Sequence, residues 1–487
     1  MARAGRTTSP LLIAVAVCLA LGVASLATPS GPTYDPYAWL IWGRDLTHLD
    51  LVTRGTGTSW KPLPALIDAL LTAFGRHADD GWLVVARAGG MFAVFMAFRL
   101  AWRVAPRPGR TAAGIIAAVS IGLTSQWFQY AGVGYSEGLM VALGLLAVDR
   151  HLDGHRAQAF ALIVAAALIR VEASPFALGY GAWLWVKGAR TRDRLAFAAG
   201  LLAIPVLWFG GDWIGSGRLT TAADRALSRR LPGAPGQSAH PAVAVVKEAL
   251  TLLPLPVWIA IAAALLIPHA RRRVTLALAA CALAWTAVVA AMAQRGYPGL
   301  PRFLFMATGL EAAIAGIGAG CAAAALIQAT ASPRIRTALA GAVGAFALCT
   351  AFAAGSVSAA RQLPRQASAI EHVADLNAKL ANAVQKAGGR ETVVRCGRPA
   401  TPWFTVTALA WYLDVQPTYL HVDTTSAPLP AFQHASAPAA RRSPRRRPAL
   451  LRRTPSCRSR QSYSGRELQL QRQLKAASGR VRHASPG

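Results

Sequence analysis

Acidic residues are what this 487-residue chain has least of: 21 Asp and Glu stand against 51 Lys and Arg, and charged residues of both signs make up only 15%. So little charge, with 54% hydrophobic residues and a mean hydropathy of +0.36, excludes an ordinary soluble domain. Cysteine is scarce too. Of the six, Cys18, Cys281, Cys321 and Cys349 lie inside apolar runs, where a thiol acts as a small hydrophobe, and Cys396 and Cys457 have no metal-like spacing. A disulfide framework and a structural zinc are therefore not expected. There is no Gly-x-Gly-x-x-Gly between a strand and a helix, no phosphate-binding loop, no His-Glu-x-x-His, and no repeat or heptad run. A nucleotide held in a soluble Rossmann-like domain is excluded on that basis.

What the chain has instead is a succession of apolar runs. A bilayer span needs about 20 apolar residues, somewhat fewer when polar ends snorkel. Eleven spans are predicted: Leu11–Ala27, Trp82–Val104, Thr111–Phe128, Glu137–Val148, Ala157–Ile169, Phe176–Val186, Leu195–Phe209, Leu250–Ile267, Val274–Met292, Phe303–Ile327 and Thr337–Val357. The first, behind Arg3 and Arg6, has the look of a signal-peptide core, but the loop charges alternate only if it is a retained helix. With the N-terminus cytoplasmic, the inner loops carry Arg103/Arg107/Arg110, Arg150/Arg156, Lys187/Arg190/Arg192/Arg194, Arg271-Arg272-Arg273 and Arg334/Arg336. Every inner loop is then short and basic, as the positive-inside rule requires. The C-terminal region falls outside the cytoplasm.

The expected fold class is an all-α polytopic membrane protein in the cell membrane. Its first extracytoplasmic loop, Thr28–Gly81, is long and carries juxtamembrane helices at Tyr37–Leu49 and Pro62–Phe74. A second long loop runs from Gly210 to about Glu248. The expected organisation is a transmembrane domain over 1–357, a small extracytoplasmic α/β appendage over 358–424, and a basic, disordered tail over 425–487. In the appendage, Gln362–Lys386 reads as a surface helix, and Thr392–Arg395 and Thr405–Leu413 as strands or short helices. The net charge of +30 divides between loop arginines and the tail, whose only acid after Arg441 is Glu467. Such a tail suits an extension touching lipid headgroups. A nucleic-acid arm and an out-of-frame read of a GC-rich gene are the alternatives. The tail carries no weight in the functional reading, and no nucleic-acid partner is expected.

Five polar clusters return to the outer face in this topology: Asp35; Ser59-Trp60-Lys61-Pro62-Leu63-Pro64; Tyr135-Ser136-Glu137; Arg170-Val171-Glu172; and Tyr297 through Phe303 with Arg302. Each has a local explanation. Asp35 before Pro36 forms turns, Glu137 suits a helix N-terminus, Arg170 and Glu172 pair, and Arg302 snorkels. Together, carboxylates and cations gathered at one membrane face point to a site. Asp35 suits a general base, Glu137 a group that orients it or the acceptor or helps hold a cation, Arg302, Arg170 and Lys61 ligands for an anion, and Glu172 a support for Arg170. Trp39, Trp42 and Trp60 fit an interfacial belt or a stacking platform. Asp45, His48 and Asp50 fit a polar loop face better than a metal site.

The order of these clusters resembles the C-type (GT-C) membrane glycosyltransferases that use polyprenyl-phosphate sugars. The family has an acid in the long first outer loop and a Pro-Leu motif opening a juxtamembrane helix, matched by Asp35 and Lys61-Pro62-Leu63-Pro64. Val85-Ala86-Arg87-Ala88, Tyr135-Ser136-Glu137-Gly138-Leu139, Leu168 through Pro175 and Pro301-Arg302-Phe303-Leu304 follow in the family's order. The chain departs from it in lacking a second acid beside Asp35 and in having Lys61-Pro62-Leu63 where some relatives have His-Pro-Pro. The resemblance covers roughly residues 10–357. It implies inverting transfer of a sugar from a polyprenyl-phosphate donor to a cell-envelope glycan, lipid or protein, with a divalent metal left open. A composition rich in Ala, Gly and Arg suits a GC-rich, actinobacterial genome. A non-catalytic lipid-sugar binder or scaffold and a transporter are the other readings, the latter weakened by halves that do not match and by charges near the span ends. In the predicted topology, a reporter active only outside the cytoplasm gives signal when fused after residue 357 and none when fused after residue 156.

Overall fold

Ala-, Leu- and Val-rich runs punctuated by Pro and Gly make helices of very unequal length. The computed structural model describes residues 8–187, 191–228, 231–330 and 335–423. The first helices are α1 (Thr8–Ala24), α2 (Tyr34–Thr47), α3 (Pro62–Leu71), α4 (Ala78–Val104), α5 (Arg110–Gly122) and α6 (Trp127–Gly132). Then come α7 (Glu137–Leu152), α8 (Arg156–Ile169), α9 (Ser174–Val186), α10 (Thr191–Ser216), α11 (Thr221–Ser228) and α12 (Pro241–Leu252). The last are α13 (Leu255–Leu266), α14 (Arg272–Gln294), α15 (Phe305–Thr330), α16 (Ile335–Lys386), α17 (Gly389–Arg395) and α18 (Val406–Leu413). Two short strands, β1 (Ala400–Pro402) and β2 (His421–Asp423), pair in parallel. The basic tail expected over 425–487 lies outside the described residues.

Among the described residues, five stretches are long and apolar enough to cross a bilayer: Pro10–Ala27, Pro62–Val104, Asp193–Ser216, Arg272–Gln294 and Pro301–Gln328. The pair α12 and α13 makes a sixth if counted as one span, but it bends by 93°. The span expected over Leu250–Ile267 runs across this bend. Pro254, N-cap of α13, supplies no N–H to continue α12, and the chain turns there. The expected count of eleven also includes α5, α7, α8 and α9, which have 13, 16, 14 and 13 residues. At about 1.5 Å per residue these are shorter than a hydrocarbon core of about 30 Å.

The bundle is organised around α15. Its most apolar stretch is 72% buried, against 22% for α1 and α10, and it packs on α4, α5, α7, α13 and α14. Leu12 and Leu19 of α1 and Leu195 and Leu202 of α10 remain exposed, as lipid-facing residues do. Small residues let the backbones of the hub meet. A Cβ on Gly318 would stand 1.8 Å from the Ala260 carbonyl oxygen, and one on Gly109 would stand 1.9 Å from that of Gly320.

A second core lies beside the bundle. Tyr37, Trp39, Trp42, Trp60 and Trp82 pack there with Val373, Leu380, Val393, Val406, Leu409 and Leu413, so the first long loop and the C-terminal segment share one hydrophobic interior. Hydrogen bonds sew the two together: Thr407 Oγ1 to the Tyr34 carbonyl at 2.9 Å, Asn377 Nδ2 to the Pro32 carbonyl at 3.0 Å, and the Tyr37 and Tyr412 hydroxyls at 2.9 Å. Thr392–Arg395 and Thr405–Leu413 are helical, in α17 and α18 with a short 3-10 turn before the latter. The helix expected over Gln362–Lys386 is continuous with the apolar segment before it, in the 52 residues of α16. Gly318→Val should lower the thermal midpoint in detergent, an overpacking cost of about 1–3 kcal/mol. Gly179→Ala, on an exposed face of α9 with nothing within 4 Å, should leave it unchanged or raise it.

Candidate active site

Each candidate residue sits where a helix begins. Asp35 lies in the first turn of α2, Lys61 is the N-cap of α3, and Glu137 opens α7. Arg170 and Glu172 occupy the extended residue and 3-10 turn between α8 and α9, and Arg302 lies in the 3-10 turn before α15. Prolines enforce these starts: Pro62 and Pro64 in α3, Pro175 in α9, and Pro301 before Arg302. The unpaired N–H groups and positive dipole of a helix start favour Asp35 and Glu137 there. The three cations at such starts need carboxylates close by.

The structure brings all six together, none more than 9% exposed. Glu137 is the centre. Its Oε1 lies 2.7 Å from Arg170 Nη1, 3.8 Å from Lys61 Nζ and 4.0 Å from Arg302 Nε. Arg302 Nη2 donates to Asp35 Oδ2 at 3.0 Å. Arg170 Nη2 donates to Glu172 Oε1 at 2.6 Å and also meets the Tyr297 hydroxyl, which donates to the same carboxylate at 2.9 Å. Lys61 Nζ donates to Ser136 Oγ at 3.2 Å. Aromatic faces complete the casing: Lys61 over Trp39 at 4.6 Å, Arg170 over Phe303 at 3.9 Å and Arg302 over Tyr135 at 4.0 Å. Three carboxylates balance three cations.

The electrostatics follow from burial. Desolvation pulls the Lys61 ammonium down to about 8; Arg170 and Arg302 add to this, and Glu137 and Asp35 oppose it. For Glu172 burial pushes the other way, but the Arg170 guanidinium and its hydrogen bond outweigh it and hold the carboxyl below its usual range. Arg302 Nε and Nη1, Arg170 Nε and Glu137 Oε2 are buried without hydrogen-bond partners. The cluster therefore keeps unused N–H donors.

Asp35, Lys61, Arg170, Glu172 and Arg302 line a cavity of about 320 Å³, walled on its apolar side by Trp208, Phe209, Leu227, Met292 and Leu300. Its size and apolar walls with a few convergent polar groups suit a ligand site. Sequence reasoning assigned nothing to two further lining residues. Tyr297 stands in the same short motif as Arg302, which could have drawn attention to it. Asp212 caps α11 with Oδ2, accepting from the Ala222 N–H at 2.7 Å, while its buried Oδ1 has no partner. An acid near the end of a long apolar helix was the available signal.

The tryptophans form neither a belt nor a platform. Trp39, Trp42 and Trp60 are buried, with ring centroids at 5.4 Å for both Trp39–Trp82 and Trp42–Trp60. Among the described residues no three His, Cys, Asp or Glu side chains gather as metal ligands. The charge pattern also disfavours a divalent cation at the cluster, since guanidinium and ammonium groups already stand around Glu137 and beside Asp35.

The helical bundle has the fold of ArnT, a GT-C membrane glycosyltransferase of known structure. The particular likeness is to the crystal structure of ArnT from Cupriavidus metallidurans in the apo state, with a TM-score of 0.52 and 14% identity over 85% of this chain and 86% of that one. The same protein bound to undecaprenyl phosphate gives 0.51 and 14%, over 86% and 87% of the two chains. The Archaeoglobus fulgidus oligosaccharyltransferase tethered to an acceptor peptide is more distant, at 0.45 and 11% identity over 84% of this chain and 64% of that one. No protein-family model and no curated protein matches the sequence. Glu137→Gln should destabilise the protein by about 3–5 kcal/mol, since it strands buried cations. Combined with Arg170→Met the loss should be smaller than the sum, read as thermal midpoints in a double-mutant cycle.

Proposed function

We propose that this protein transfers a sugar from a polyprenyl-phosphate donor to a cell-envelope glycan, lipid or protein, on the extracytoplasmic face and with inversion. The observation that carries the reading is Asp35 paired with Arg302 at the polar end of a cavity whose other wall is apolar. That combination suits an amphiphile whose phosphate meets Arg302, Arg170 and Lys61 while its first isoprene units lie along Trp208, Phe209 and Leu227. The shared fold of ArnT, solved with undecaprenyl phosphate, supports the same donor chemistry. The sidedness rests on the loop charges.

In the reaction, Asp35 takes the proton of the acceptor hydroxyl as its oxygen attacks the anomeric carbon from the face opposite the phosphate. The new C–O bond forms as the bond from the anomeric carbon to the phosphate oxygen breaks. The electron pair stays on the departing lipid phosphate, where the unused N–H groups of Arg302 and Arg170 and the Lys61 ammonium stabilise it. The phosphate would draw Arg302 away from Asp35, so donor binding itself raises the basicity of the carboxylate. Glu137 holds the three cations in place, and Glu172 with Tyr297 orients Arg170. The non-catalytic reading, a binder of lipid-linked sugar, needs the same cations and has no use for Asp35.

Asp35→Asn should therefore leave insertion intact and donor binding equal or tighter, and lower transfer about 10²- to 10⁴-fold, measured with purified protein in nanodiscs and radiolabelled polyprenyl-phosphate sugar. Transfer equal to wild type would remove Asp35 as the base. Donor binding without transfer by the wild type would establish the binder. Because burial pulls the Lys61 ammonium down to about 8 in the donor-free site, the donor dissociation constant should rise with pH above 8, by up to about tenfold per unit. Lys61→Met should bind donor more weakly and lose that added dependence.

A further inference from the structure

At the end of the bundle opposite the carboxylate cluster lies a second cavity of about 370 Å³. The separation follows from the 16-residue α7, which starts at Glu137 in the cluster and ends where Asp149 and Asp153 meet Arg103 at the end of α4. The cavity is bounded by the α4–α5 loop, the α13–α14 loop and the last turns of α15. Arg107, Arg110 and Arg271 line it, and Ile267, Cys321 and Ala324 form its apolar floor.

Two kinds of arginine occupy this end. Arg99, Arg103 and Arg150 are tied to Asp149 or Asp153 in a dense network. Arg107, Arg110 and Arg271 have no carboxylate partner among the described residues. Arg110 gives Nε to the Ala105 carbonyl at 3.5 Å and lies over Trp102, and Arg271 gives Nη1 to the Arg103 carbonyl at 3.1 Å. Among the described residues their remaining N–H groups have no acceptor. Topology alone needs positive charge at this end, and the first set supplies some of it. It does not require three unneutralised guanidiniums around one cavity. The cavity is also firmly built, because the loop holding Arg107 is pressed by Gly109 onto the α15 backbone at Gly320.

We propose that this cavity binds one anionic phospholipid, with its headgroup phosphate among Arg107, Arg110 and Arg271 and an acyl chain along Ile267 and Ala324. Guanidiniums suit phosphate oxygens by paired, charge-assisted hydrogen bonds. Basic pockets between helix ends at a membrane surface bind such headgroups. The apolar floor selects a lipid over free phosphate. The site is independent of the transfer reaction proposed above.

The test is native mass spectrometry of delipidated full-length protein titrated with dioleoyl phosphatidylglycerol, dioleoyl phosphatidylcholine or inorganic phosphate. The wild type is expected to retain one phosphatidylglycerol at least about tenfold more tightly than phosphatidylcholine. Two variants should each weaken that binding by about tenfold or more: the combined Arg107→Gln, Arg110→Gln and Arg271→Gln, and Ala325→Trp, which fills the cavity and keeps every charge. Equal retention of the two lipids by the wild type overturns the proposal, as does undiminished binding in Ala325→Trp. Inorganic phosphate binding as tightly as the lipid overturns it in favour of a free-anion site.

Discussion

One buried carboxylate holds the candidate site together. Glu137 is fully enclosed and faces Arg170, Lys61 and Arg302, each delivered by a different helix start. In a medium of low dielectric such charges persist only in company. Without Glu137, three cations would crowd one another away from water; without them, it would be a charge in the membrane protein's interior. The bundle packs α7 between α4 and α8 and lays α15 beside it, which brings the partners to one point. The pairing of Asp35 with Arg302 then follows, because Arg302 is already held by its contact with Glu137 and the face of Tyr135.

Much of this was legible in the sequence. Asp35, Lys61, Glu137, Arg170, Glu172 and Arg302 lie far apart along the chain, but each stands beside a proline, a turn or the edge of an apolar run. In the predicted topology, charge alternation returns all of them to one membrane face. Their gathering could be read because few polar groups were available to compete. What could not be read was length. Short apolar runs around residues 137–186 look like spans by composition, yet fold as helices of 13 to 16 residues supported by neighbours. A single proline, Pro254, turned one expected span into a sharply bent pair. Hydropathy measures how apolar a run is and says nothing of its direction.

Tryptophans misled for a related reason. Trp39, Trp42 and Trp60 carry the amphipathic look of membrane-interface residues, but their ring partners come from α4 and from one another, and the C-terminal segment packs in the same core. Likewise Asp212 lies near the end of an apolar helix with nothing local to single it out. Only the folded chain sets it against the cavity. Partners distant in sequence leave no local mark.

The interior shared by the first long loop and the C-terminal segment bears on how the protein is made. Chains fold largely as they emerge, from the N-terminus onward. Here Asp35 belongs to a helix translated among the first, while Thr407 and Asn377, which hold the backbone just before it, come more than 340 residues later. During synthesis the early segment must wait on the membrane surface, its tryptophans without their cover, until almost all the spans are inserted. Assembly of the candidate site is thus among the last events of biogenesis, and a ribosome that stops early leaves a membrane-inserted bundle in which Asp35 has no fixed place.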